Sequence, residues 1–432
     1  MIARYRLPEM EKIWSDDNHL QQMLQVELYA CEAMKDSGRL SDKEYKEIVE
    51  RASVGLQRVN EIEEVVKHDV AAFLETVAEQ VGPDLAKHLH WGMTASDIVD
   101  TAMAVQMTQA VDLIIGKLYQ LRDILAELAK KHKYTLMVGR THGIHAEPMS
   151  FGMKMVVWVA EIDRTIARMQ QARQAVAVGK VSGVTGLYAH IEPFVEEHVC
   201  RRLDLKQATA SSQILQRDRH AELLMTLAIL GSTLDKFAVD IRTLERSEIR
   251  EIYEPLEAGM IGASALPHKV NPVKTERISG LARVLRANAL AALEDVALWD
   301  ERDLTHSSTE RIIIQDSCLL ADFMLQQMID TLKRMQVNHE QMENNLDMTR
   351  GLIFSQRVLM KLMERGVPRK QAYLMVQRNA MDSFNQQTDF AYQLMQDDEI
   401  MAFILPEELD ALFDYEYYLR HIDYVYKRAG IF

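Results

Sequence analysis

The sequence predicts an all-α fold, on three observations. Glycine and proline are scarce, 18 and 9 among 432 residues. Residues 281–350 contain neither, and residues 194–254 contain no proline and one glycine, Gly231. Apolar residues recur at three- and four-residue spacing, the period of one helix face. Long helices tolerate such unpunctuated runs better than other elements do.

Taken in order, residues 1–110 read as a small N-terminal helical domain. Val111, Ile114, Leu118, Leu121, Leu125 and Leu128 form a stripe that opens a central long-helix bundle over 111–350. Leu223, Leu227, Leu230, Leu234, Phe237, Ile241 and Leu244 repeat the stripe, and 275–298 and 311–335 look similar. Helices this long suit an elongated bundle or packing against a partner subunit. Residues 351–432 read as a smaller helical cap that starts near Gly351. Strand alternation is nearly absent, and Tyr134–Val138 is its best instance.

The net charge of −14 argues against a nucleic-acid partner, which would call for a basic face. Three scattered cysteines, Cys31, Cys200 and Cys318, suggest a reducing compartment and no disulfide framework. The start, Met1-Ile2-Ala3-Arg4-Tyr5-Arg6, lacks the apolar core of a signal peptide. No apolar run approaches the roughly 18 residues of a membrane span. A cytoplasmic protein is expected, with no membrane association. Dinucleotide-loop, P-loop, H-E-x-x-H and C-x-x-C patterns are missing. His142 and His145 lack a Cys, Asp or Glu to complete an obvious metal set, so nucleotide-fold and metal-hydrolase readings start weak.

Polar clusters at the punctuated junctions carry the chemistry. Lys67-His68-Asp69 precedes an apolar helical run and reads equally as a helix start. Thr94-Ala95-Ser96-Asp97 either caps a helix or holds a carboxylate against its free N–H groups. Gly139 to Pro148 reads as a loop carrying Arg140, His142 and His145, and histidine is the natural general acid near neutral pH. Gln213 leads into Leu215-Gln216-Arg217-Asp218-Arg219-His220. Gly259 to Pro272 combines small residues with a rigid Pro267-His268-Lys269-Val270-Asn271-Pro272 turn; small residues suit a mobile lid, and Lys269 suits charge developing on a carboxylate. Glu301 to Arg311 sets Arg302 and Arg311 around Thr305, Ser307, Ser308 and Thr309. Guanidinium forks with hydroxyls fit a phosphate or carboxylate, while a plain polar helix joint is the alternative.

Gly262-Ala263-Ser264-Ala265-Leu266-Pro267-His268-Lys269-Val270-Asn271-Pro272 resembles the signature loop of the fumarase/aspartase superfamily. The other clusters, with Arg4-Tyr5, resemble adenylosuccinate lyases of the short bacterial type, in order and spacing over nearly the whole chain. The resemblance implies a carbon–nitrogen lyase of purine biosynthesis. Such an enzyme releases fumarate from N-succinyl nucleotides by anti-elimination, adenylosuccinate to AMP and SAICAR to AICAR. It also implies a homotetramer with a twenty-helix core and sites shared between subunits, and no metal or organic cofactor. By position, His142 matches the general acid and His68 its support. Lys269 and Asn271 match holders of the fumarate carboxylates, and Glu276 matches a carboxylate that orients the acid. Arg4, Tyr5, Lys67, Asp69, Thr94, Gln213, Arg302, Ser307 and Arg311 match the substrate-binding set.

The pattern breaks where the family's base serine stands, because Ala263 occupies that place. Ser264 matches the second serine of the pair. Ala95 removes a further hydroxyl, Ile261 replaces a common lysine, and Leu266 a methionine. Three readings follow. The chain is a diverged lyase that uses Ser264 or takes a different N-succinyl or aspartyl conjugate; or it is a serine-to-alanine variant that traps substrate; or it is a ligand-binding homologue that kept the fold without the reaction.

Overall fold

A computed structural model describes residues 1–254, 259 and 261–432. Met260, part of the Gly259–Pro272 cluster, lies outside them. Among the described residues the chain forms nineteen α-helices and three two-stranded sheets. The five longest helices are Ala95–Lys131, Phe151–Val176, Asp218–Glu245, Val273–Glu294 and Thr305–Arg334. Their stripes bury as the periodicity requires. Leu223, Leu227, Leu230, Leu234, Phe237, Ile241 and Leu244 are all in the core, as are Val111, Ile114, Leu118, Leu121 and Leu125. Gly231 lets two helices close up: a Cβ there would lie 2.8 Å from Leu285 Cδ1.

The stretch without glycine or proline, 281–350, holds two helix starts, at Thr305 and His339. Polar side chains make them instead. Asp303 accepts from the N–H groups of Thr305 and Trp299, both at 2.7 Å, and starts Thr305–Arg334. Asp300 adopts φ +51° just before it. Asn338 accepts from Gln341 N at 3.2 Å and caps His339–Asp347. Asp and Asn side chains satisfy the N–H groups exposed at a helix start, and they tolerate the left-handed region.

The chain divides into two compact units. The first comprises 1–120, 163–236 and 276–328. There the helices Asp16–Asp36, Asp42–Arg51, Leu56–Val66, Asp69–Val81 and Pro193–Arg202 share a core around Leu24, Phe73, Val77, Val181 and Val199. The second comprises 121–162, 237–275 and 329–432. It contains a C-terminal helical core around Leu362, Phe390 and Leu394, and the stacked rings of Trp158 and Phe237 at 4.2 Å.

Two expectations are corrected. Residues 139–148 are not a loop. Leu136–Thr141 and Ile144–Ser150 pair as an antiparallel hairpin, with Thr141 opposite Ile144. His142 and Gly143 are the two-residue turn, at φ +54° and +77°. Two successive positive φ values give a turn whose twist matches that of the strands, and Gly143 meets the requirement without strain. The strand therefore starts two residues later than the Tyr134–Val138 pattern suggested. Secondly, Ala95–Lys131 and Thr305–Arg334 are, by length and composition, apolar enough to cross a membrane. Of their apolar windows, 61% and 72% respectively are buried within the fold, so packing accounts for that apolarity.

Candidate active site

In the first unit the junction of two helices presents Lys67, His68 and Asp69. Lys67, at φ +57°, closes Leu56–Val66, and His68 caps Asp69–Val81. His68 Nδ1 accepts from Ala71 N at 3.2 Å, so the neutral ring carries its proton on the exposed Nε2. Asp69 accepts from Val70 N at 2.8 Å and pairs with Arg311. Burial pushes the Asp69 carboxyl up, but Arg311, the Val70 N–H and His68 together outweigh it and hold the carboxyl below its ordinary range.

Arg302 Nη1 reaches Gln213 Oε1 at 3.4 Å, and Ser212 Oγ donates to the Glu301 carbonyl at 2.8 Å. These bonds bring the 211–217 segment to the start of Thr305–Arg334. Ser307 is half-buried in that first turn, where helical N–H groups favour an anion. Arg4 is exposed, and Tyr5 packs its ring against Phe323 at 5.4 Å. Glu276 is exposed in the first turn of Val273–Glu294.

Thr94 owes its position to Asp97, which the sequence placed in the same cluster without a role of its own. Asp97 is fully buried. Its Oδ2 accepts from Thr94 N at 2.8 Å and Gly183 N at 3.1 Å; its Oδ1 accepts from Ser182 N at 3.0 Å and pairs with the buried Lys180 ammonium. A carboxylate at the third helical position thus reaches back to the cap residue and also pins a segment distant in the chain. His90 was missed. It has φ +56°, and the buried Glu27 holds both its N–H, at 2.8 Å, and its Nδ1, at 2.9 Å. The only local signal was a histidine four residues before Thr94.

In the second unit the hairpin turn leaves His142 exposed at its tip. Arg140 holds the hairpin down by a two-pronged bond to the buried Glu251, at 3.0 and 2.6 Å, and Asn345 adds a third bond to Glu251 at 2.9 Å. Arg140 is therefore a structural clamp. Burial, then the Arg140 charge, lowers the basicity of His145, which leaves it neutral at pH 7. In the 261–272 segment Ser264 and Lys269 are exposed, and Ala263 and Asn271 are half-buried. Gly262 lies against the Lys269 carbonyl, where a Cβ would sit 2.4 Å away, so the segment folds back on itself. Glu254 and Lys274 pair at 2.9 Å across its base.

The first unit thus presents the exposed His68 and the Arg302 guanidinium, and the second presents the exposed His142 and Lys269. Comparison with known proteins narrows their role. A family profile described as "Lyase" matches residues 3–286, and one described as "Adenylosuccinate lyase C-terminus" matches 351–429. Over 431 residues the chain is 44% identical to an adenylosuccinate lyase of Bacillus subtilis, and over 432 it is 45% identical to one of Synechocystis; all of both chains is covered in each case. The chain belongs to the adenylosuccinate lyase family.

The fold agrees with that membership of the fumarase/aspartase superfamily. A fumarate lyase from Mesorhizobium superposes with a TM-score of 0.91 at 27% identity, covering 100% of this chain and 99% of the other. A 3-carboxy-cis,cis-muconate lactonizing enzyme from Pseudomonas putida gives 0.88 at 27%, covering 99% and 97%.

Proposed function

We propose that the chain is a carbon–nitrogen lyase that eliminates fumarate from N-succinyl purine nucleotides in purine biosynthesis, converting adenylosuccinate to AMP and SAICAR to AICAR. The observation that carries this reading is end-to-end identity of 44% and 45% to two adenylosuccinate lyases. A base takes the proton beside a carboxylate, and its electron pair spreads onto that carboxylate. The carbon–nitrogen bond then breaks, its pair stays on nitrogen, and an acid protonates the nitrogen. His142 at the hairpin tip is the acid, and Glu276 orients it. His68, whose Nε2 is exposed, supports the acid. Lys269 and Asn271 stabilise the carbanion through its carboxylate, where fixed cations and dipoles count most. Thr94 serves the same end. Arg302, Ser307 and Arg311 hold the phosphate, with Arg4, Tyr5, Lys67, Asp69 and Gln213 around the nucleotide. Ser264 is the remaining hydroxyl for the base, because alanine at 263 has no proton to exchange.

The same reading carries a division into 1–110, 111–350 and 351–432, a cytoplasmic location and a homotetramer with shared sites. Support for the tetramer comes from apolar residues exposed along the long helices, among them Met225, Ile229, Val239, Val284, Leu290 and Leu293. Exposed apolar surface of this kind marks an interface. Light scattering at about four chain masses is expected, and a stable monomer would rule out shared sites. Ala263 and Ala95 together favour a second reading, a diverged lyase for another N-succinyl or aspartyl conjugate, or a binding homologue. An ultraviolet assay of fumarate release from adenylosuccinate separates the two.

A further inference from the structure

One buried cluster has no role in the chemistry above. Asp100, Arg217, His220, His306 and Glu310 are each 4% exposed or less. Arg217 spends its fork on Asp100, Nη1 to Oδ2 at 2.8 Å and Nη2 to Oδ1 at 2.9 Å. Glu310 receives a second contact from Arg217 Nη2 at 3.1 Å, and faces His220 Nδ1 at 2.9 Å and His306 Nδ1 at 2.8 Å. Two carboxylates thus share one buried guanidinium. The remaining negative charge needs a cation, since unpaired buried charge is costly.

A second guanidinium, that of Arg302, reaches this cluster through His306. Arg302 Nε donates to His306 Nε2 at 3.4 Å. A guanidinium only donates, so His306 Nε2 must be bare and the ring proton must sit on Nδ1, directed at Glu310. The tautomer follows from the neighbours on both sides. Arg302 is then held at Nε by His306 and at Nη1 by Gln213, while its Nη2 has no partner among the described residues.

We propose that His306 and Glu310 are positioning residues that fix the Arg302 guanidinium with its Nη edge turned to the phosphate of the ligand. This rests on the reading that Arg302 binds that phosphate. Neither residue touches the ligand; both act through Arg302. Part of the polar network on the Thr305–Arg334 helix therefore serves ligand orientation, in addition to joining helices.

Calorimetric titration of the full-length protein with AMP and with adenosine tests this without requiring turnover. His306→Leu and Arg302→Ala are each expected to weaken AMP binding by about tenfold or more and to leave adenosine binding unchanged. The double variant should be no weaker than Arg302→Ala alone. His306→Gln, whose amide oxygen can stand in for Nε2, should recover most of the AMP affinity. His306→Asn, which keeps a donor toward Glu310 but lacks that acceptor, should behave like His306→Leu. The Gln and Asn pair decides the matter if the leucine variant does not fold. Unchanged AMP affinity, equal losses for AMP and adenosine, or additive losses in the double variant would overturn the positioning role alone. A wild-type protein that binds no AMP would overturn the phosphate reading, and this role with it.

Discussion

Replacing Asp97 with asparagine should remove the Thr94 end of the site and much of the fold's stability together. The carboxylate takes four donors, two on each oxygen: Ser182 N and Lys180 on Oδ1, Thr94 N and Gly183 N on Oδ2. An amide in the same volume offers one oxygen. Whichever way it turns, two donors face its NH2. Each lost acceptor for a buried donor costs about 1–3 kcal/mol. Lys180, fully buried, also loses its countercharge, and breaking a buried pair costs about 3–5 kcal/mol. These losses overlap, so a total of at least about 4 kcal/mol is expected, a large part of a typical folding free energy. Urea unfolding followed by circular dichroism measures it. Adding Lys180→Met removes the orphaned charge and should restore more than about 1 kcal/mol, because the two sites are in contact. A penalty under about 1 kcal/mol for Asp97→Asn, or strictly additive effects of the two changes, would contradict the four-donor arrangement.

Further outcomes follow from the same geometry. His142→Gln should lower turnover by about 10²–10⁴, the range for a lost general acid, with a smaller effect on substrate binding; unchanged turnover in a steady-state assay would move the role to another histidine. Glu310→Gln should destabilise at neutral pH. Burial pushes the Glu310 carboxyl up, but His220, His306 and Arg217 outweigh it and hold it well below the usual range. Its contribution is therefore present above the unfolded value of about 4.3 and fades as pH falls further, so unfolding midpoints of wild type and variant should converge in acid. Glu245→Gln should do the reverse. Burial and the Glu254 charge raise the Glu245 carboxyl to about 7, so the folded state favours its protonated form and stability is lost as pH rises from about 4.5 through 7. Allowing for solvent screening of a half-buried group, the variant should gain about 1 kcal/mol at pH 8 and little at pH 5, read from melting curves.

The long helices were legible because burial imposes a period that the sequence must carry. Every member of the 223–244 stripe is in the core. Helix ends were legible only where glycine or proline made them. Inside 281–350, Asp303 and Asn338 perform the same task with a carboxylate and an amide, which look like any other polar residue in a charged helix. The Gly139–Pro148 segment carries chemistry-bearing residues, yet it hides a hairpin whose turn depends on two consecutive positive φ values at His142 and Gly143. Arg140 illustrates the opposite error: its guanidinium looked functional, and it is spent on Glu251, 111 residues away. Asp97 and Lys180 are separated by 83 residues, so no local pattern announces them. Short motifs reveal residues that act together within one loop, while residues paired across the fold emerge only from the packing.

Ala263 makes the reaction itself the sharpest question. Incubating the wild-type chain with adenylosuccinate and following fumarate by ultraviolet absorbance tests the proposed elimination directly, with Ala263→Ser measured alongside. Saturable release of fumarate with matching AMP is predicted from the wild type, raised at least about tenfold by Ala263→Ser, a barrier change of about 1.4 kcal/mol. No fumarate from either protein would contradict the assignment as an N-succinyl nucleotide lyase.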